Sequence, residues 1–213
     1  MVMLYHGSDK KFEKFKIPDY HKTGSDLGFG VYLTDDIERA KRYANNGFVY
    51  DVKFDIEGNK SVSADHVTLD VAAVTKLIEG VAREQIRTDE YPYILSDWGE
   101  IGSETEIDDY NHELAKNIAK NTIDNSDDDL DIINDLGNQL GGTRSAAITL
   151  DPVLEDMNIH YAVRNFEDQK QDNSSKVSQE YIVFNPDDLV ITKARSSKDF
   201  EKGKTTFEVE DFI

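Results

Sequence analysis

Apolar residues fall into short alternating runs near the two ends of the chain and into longer helical stripes in its middle. Met3-Leu4-Tyr5-His6 predicts a first strand, closed by a Gly7-Ser8 turn. Phe12, Phe15 and Ile17 are then spaced to tuck under a loop whose Lys10, Lys11, Lys14 and Lys16 face outward, and Pro18 to Asp26 reads as open loop. Gly28-Phe29-Gly30 predicts a tight turn and Val31-Tyr32-Leu33 a short buried strand. Asp35 followed by Glu38 has the spacing of a capped helix start. In that helix Ile37, Ala40 and Ala44 share a face, Tyr43 stands on the Ala40 side, and Glu38, Arg39 and Arg42 stay wet. Phe48 to Ile56 alternates from Tyr50 onward, a half-buried strand ended by Gly58-Asn59.

Leu69 to Ile86 predicts a long helix, with Val71, Val74, Leu77, Ile78, Val81 and Ile86 in one stripe. Weaker helices follow over His112–Ile123, through Leu114 and Ile118, and over Asp127–Leu140, through Leu130, Ile133 and Leu136, with Gly141-Gly142 as a stop. Thr88 to Asp109 carries no clear period. Asp151-Pro152 predicts the start of a short helix to Met157, Ile159–Val163 a strand, and Asp168–Lys176 a polar loop. Glu180-Tyr181-Ile182-Val183-Phe184 is the strongest strand signal, turned by Asn185-Pro186-Asp187 toward a return strand at Leu189-Val190-Ile191. The expectation is a single α+β domain over residues 1–213, its β-rich ends meeting to form sheet, with a mainly helical, acidic insertion at about 69–142.

Composition narrows this picture. The 213 residues include no cysteine, so no disulfide forms. The N-terminal Met-Val-Met-Leu-Tyr-His has neither a basic region nor a long apolar run, which argues against a standard signal peptide and against membrane spanning. A formal net charge of −19 repels nucleic acid and anionic membranes, and favours a basic protein as partner. The charge is uneven: residues 9–22 are net +2, whereas residues 97–135 are net −11. An anionic cofactor is best served at the first of these.

Leu4-Tyr5-His6-Gly7-Ser8, then Gly30-Val31-Tyr32-Leu33 with Ala40 and Tyr43, then Gln179-Glu180-Tyr181-Ile182-Val183-Phe184 resemble the His–Tyr–Glu signature of ADP-ribosyltransferases, in the branch of diphtheria-type toxins and poly(ADP-ribose) polymerases. The resemblance covers about thirty residues. It implies an ADP-ribosyltransferase-like fold, two packed antiparallel sheets around an NAD cleft. It implies a single ADP-ribose moved from NAD, the co-substrate, to a macromolecule with release of nicotinamide, and no metal. His6 would bond the adenosine-side ribose with Ser8 close by, and the Gly7 backbone would hold the carboxamide. Tyr32 and Tyr43 would sandwich the nicotinamide ring, Gly30, Leu33 and Ala40 would line the cofactor site, and Glu180 would bind the nicotinamide-side ribose. His6, Tyr32 and Glu180 would be the catalytic set. Ala40 departs from the serine usual in polymerases of this branch, which weakens the carboxamide grip. Ser178 stands where arginine-modifying enzymes carry Glu or Gln, which disfavours arginine as acceptor.

A chain of this kind acts in the cytoplasm, or as a toxin or effector delivered into a host cell. Three alternatives stand beside it: an NAD glycohydrolase, with water as acceptor; a non-catalytic acidic binder or mimic; and a degenerate transferase domain that binds NAD-like ligands only. Other signals are weaker. Asp124-Asn125-Ser126-Asp127-Asp128-Asp129 alternates oxygen ligands but lacks the glycine of a calcium loop and reads as a solvated helix start. His21, His66, His112 and His160 have no metal-ligand spacing, and Gly28-Phe29-Gly30 lacks the third glycine of a dinucleotide fingerprint.

Overall fold

The computed structural model describes residues 1–16, 30–87, 109–139, 143–169, 175–196, 198, 200 and 207–208. The Gly28-Phe29 part of the expected turn, the loop from Pro18 to Asp26 and most of 88–109 lie outside them. The described chain is α+β, with strands β1 (Val2–Ser8), β2 (Val31–Thr34), β3 (Phe48–Phe54), β4 (Lys60–Ser63), β5 (Ile159–Gln169), β6 (Ser175–Val183), β7 (Val190–Ser196) and β8 (Phe207–Glu208). Its helices are α1 (Ile37–Ala44), α2 (Val71–Arg87), α3 (Asp109–Asp124), α4 (Asp129–Gln139) and α5 (Thr143–Asp156). Two compact units emerge: the described residues of 1–16, 30–60 and 163–208 form one, and those of 61–162 the other.

In the first unit the strands run β5-β6-β2-β1-β3-β7-β8 in one sheet. Two packed sheets were expected. One results because β1 pairs antiparallel on both sides, with β2 at Tyr5↔Thr34 and with β3 from Val2↔Phe54 to Ser8↔Phe48, so it joins the two β-rich ends edge to edge. β2 pairs antiparallel with β6, from Val31↔Val183 to Thr34↔Glu180. Alternation then assigns faces. Tyr5, Gly7, Tyr32, Thr34, Glu180, Ile182 and Val49 lie on one, and Leu4, His6, Leu33, Tyr50 and Val183 on the other.

α1 packs on the first of these faces, burying Ala40 and Ala44 against Val49 with Tyr5 and Ile37 alongside. Small residues let the helix come close, and at Gly7 it comes closest. A Cβ there would overlap the Ala40 carbonyl oxygen and stand 2.7 Å from the Ala44 amide nitrogen. Gly7→Ala is therefore expected to cost about 3 kcal/mol, the upper part of the overpacking range, because backbone rather than a side chain must move. Thermal unfolding checks it, and an unchanged midpoint contradicts it.

The N-cap of α1 is Asp36, whose carboxylate accepts from the Glu38 amide at 3.1 Å, and not Asp35 as the spacing predicts. Asp35 is drawn into the sheet instead. Its amide donates to the Gln179 carbonyl at 3.2 Å and its carboxylate accepts from the Gln179 amide at 2.8 Å. Three other boundaries move. β6 begins at Ser175, so Glu180 sits inside the strand rather than opening it, and β5 runs on to Gln169 through residues that read as polar loop. α5 starts at Thr143, with Pro152 inside it.

The second unit is mainly helical. α2 buries Val74, Leu77, Ile78 and Val81, α3 Leu114 and Ala119, α4 Ile132, Ile133 and Leu136, and α5 Leu150 and Leu154. Asp129, fully buried, braces it. Its Oδ1 accepts from the amides of Thr68 (2.7 Å) and Leu69 (2.8 Å), and its Oδ2 from the Ser63 amide (2.9 Å) and the Thr68 hydroxyl (2.5 Å). That carboxylate is a structural clamp rather than part of a cation loop. Among the described residues no helix is long and apolar enough to cross a membrane.

Candidate active site at the parting of two strands

The ladder between β1 and β2 is closed at Tyr5↔Thr34, and beyond it the strands part. Hydrogen-bonding direction alternates along an antiparallel strand. The Asp35–Gln179 bond turns the odd residues of β2 toward β6, so the polar groups of Tyr32 and Thr34 face β1. By the same alternation Gly7 turns its N–H and C=O toward β2, into the opening. The Tyr32 carbonyl there accepts a 2.7 Å bond from Nδ1 of His6.

That bond fixes the tautomer. A carbonyl only accepts, so Nδ1 carries the proton. Burial pushes the His6 pKa below its ordinary 6.5, against the opposing effect of the Tyr32 carbonyl, and so favours the neutral ring. Nε2 is then a lone-pair acceptor. The ring is held edge-on by Phe15 (5.1 Å between centroids) and Phe12 (5.8 Å), and Phe12 stacks on Tyr50 at 4.3 Å. Phe12 and Phe15 tuck under as the spacing predicts, with Lys10, Lys11, Lys14 and Lys16 exposed around them. Because folding favours the neutral ring, the His6 contribution is complete above pH 6.5 and is lost as pH falls from there toward the lowered folded value. The melting temperature should rise between about pH 5 and about pH 7, and His6→Asn should flatten that rise; an identical slope in the variant contradicts it.

His6, Tyr32 and Glu180 therefore lie on three strands that are neighbours in the order β1-β2-β6. β1 and β6 are two strand spacings apart, about 10 Å. Tyr32 and Glu180 share a face as diagonal neighbours, a spacing of about 7–8 Å. The His6 side chain emerges on the opposite face, as the alternation of Tyr5 and His6 requires. Ser8 accepts from the Lys10 amide at 3.2 Å. Gly30 has φ of +131°, and a Cβ there would meet Ile182 Cγ2 at 2.6 Å, so the turn into β2 requires glycine. Leu33 and Ala40 are buried core positions. Tyr43 is 58% exposed on α1.

Glu180 is only 5% exposed, and its Oε2 accepts a 2.7 Å bond from Nη2 of Arg164 on β5. The sequence reading has no role for Arg164, for its strand neighbour Phe166, or for Arg39, which it leaves wet and which is 7% exposed. The guanidinium of Arg39 lies 3.5 Å from the Phe166 ring centroid and that of Arg164 4.2 Å from it. An alternating Arg-x-Phe directly after Val163 is the signal that marks these two as one face of a longer strand. Among the described residues no group of His, Asp or Glu is placed to hold a metal ion. No protein-family model, curated protein or solved structure matches the chain.

Proposed function

We propose that this protein is an NAD-dependent ADP-ribosyltransferase of the His–Tyr–Glu type, its fold an ADP-ribosyltransferase-like sheet built around the opening between β1 and β2. One observation carries the reading. Three short motifs, far apart in sequence, fall on adjacent strands, with a buried carboxylate and a tyrosine on one face of the opening and an acceptor nitrogen of His6 on the other.

The residues fit NAD. The Gly7 N–H and C=O offer the donor and acceptor that a carboxamide matches, and exposed Tyr43 offers a ring face for nicotinamide, opposite Tyr32. His6 Nε2 accepts from a ribose hydroxyl. Glu180 accepts from the 2′-hydroxyl of the nicotinamide ribose and stabilises the positive charge that develops at the ribose carbon as nicotinamide leaves. A gap in the sheet lets one ligand meet side chains from both faces. With a net charge of −19, a basic protein is a better acceptor than nucleic acid.

Incubation with NAD labelled on its adenylate phosphate, alone and with a basic protein mixture, tests this. Nicotinamide release with label on a macromolecule supports transfer. Release with free ADP-ribose alone marks a glycohydrolase, and neither product overturns the catalytic reading in favour of an acidic binder. Tyr43→Ala should weaken NAD about fivefold, since a stacked ring is worth about 1 kcal/mol. Isothermal titration reads this, and an unchanged Kd removes Tyr43 from the site.

A further inference from the structure

Glu180 ends a continuous line of side chains. Arg164 bonds its Oε2 at 2.7 Å and lies over Phe166; Arg39 lies over the same ring; and Nη2 of Arg39 reaches the Tyr43 hydroxyl at 3.4 Å. The line joins the exposed ring assigned to nicotinamide to the buried carboxylate assigned to the ribose.

Packing alone does not account for it. A buried ion pair is often no more stabilising than apolar side chains of the same volume, because both charges lose their hydration. Beside Glu180, Nε of Arg164 and Oγ of Ser178 are also buried with no hydrogen-bond partner among the described residues, an arrangement that costs about 1–3 kcal/mol per group. Ser178 stands two residues before Glu180, on the same face. Interior polar groups kept at such a cost mark a place retained for use.

We infer that Arg164 is the positioning residue for Glu180, and that Phe166 and Arg39 hold Arg164 in place. This rests on the transferase reading above. By taking Oε2, Arg164 fixes the plane of the carboxylate and leaves Oε1 to meet the ribose. Arginine suits this because its flat guanidinium stacks on the Phe166 ring while its fork directs Nη2, and a lysine ammonium does neither. Phe166 sets the height of the guanidinium, and Arg39 backs the ring from α1.

The test is kcat and KM for NAD in nicotinamide release. Arg164→Gln strands a buried carboxylate, so Arg164→Lys, which keeps the charge, carries the kinetic measurement, with circular dichroism confirming its fold. Arg164→Lys should lower kcat about 10-fold with KM within about twofold, because the carboxylate is misplaced while the groups that bind NAD remain. Phe166→Leu should act in the same direction. In a Glu180→Gln background Arg164→Lys should have almost no further effect, since it acts only through the carboxylate. An unchanged kcat, a change confined to KM, or an undiminished effect in the Glu180→Gln background overturns the inference while an active wild type leaves the transferase reading standing. A wild type that releases no nicotinamide overturns both.

Discussion

Glu180→Gln is expected to leave the fold and NAD binding in place and to lower nicotinamide release on the order of 10²–10³-fold. The substitution keeps the shape of the side chain, and the amide oxygen still accepts from Nη2 of Arg164, so the 2.7 Å contact survives. The Arg164 guanidinium, its side chain 24% exposed, loses its counter-ion at some cost in stability, and what the reaction loses is the negative charge. In a site 5% exposed that charge faces little competing water, so its effect on a cation developing nearby is large. The effect should fall on kcat, because glutamine still accepts from a ribose hydroxyl in the ground state. Parallel loss of NAD affinity and turnover would instead make Glu180 a binding group.

Asp129→Asn is expected to destabilise the protein by roughly 3 kcal/mol or more. Both carboxylate oxygens accept two bonds each, from three backbone amides and one hydroxyl. An amide can offer only one oxygen. In either orientation its NH₂ then points at one or more backbone amides that have lost their acceptor, and bonds to a charged group are worth about 1.5–3 kcal/mol each. The clamp joins the segment before α2 to the first residue of α4, so its loss releases the start of α4 from the segment that leads into α2. Chemical denaturation measures this, and a change below about 1 kcal/mol contradicts it.

The elements with a clear period were legible. β1, β2, α1, β3 and α2 stand within a few residues of where the pattern puts them, because α1, β3 and α2 each have one buried and one wetter face and β1 and β2 are short β-favouring runs beside glycine. The single sheet was not legible, since nothing local in Leu4–Gly7 says that β1 will pair on both sides. The site was half legible. Motif order brought His6, Tyr32 and Glu180 to adjacent strands, but which face each side chain takes follows from register, and register is a property of partners. Arg39 looked wet because charge was read as exposure; over Phe166 and beside Tyr43 it is buried with its charge engaged. Asp129 looked like one acid among many in Asp124–Asp135, and only the distant Ser63–Leu69 backbone gives it a task.

Nicotinamide release from NAD, measured in one assay for the wild type, Glu180→Gln and Gln179→Ala, separates a catalytic Glu180 from a structural one. Gln179 is the immediate neighbour of Glu180 on β6, but its side chain faces the other way, donating to Asn165 at 3.2 Å and accepting from the Tyr181 hydroxyl at 2.7 Å. Turnover is expected from the wild type, turnover near that level from Gln179→Ala, and a fall on the order of 10²–10³-fold in Glu180→Gln. Glu180→Gln releasing nicotinamide as fast as the wild type would contradict a catalytic Glu180.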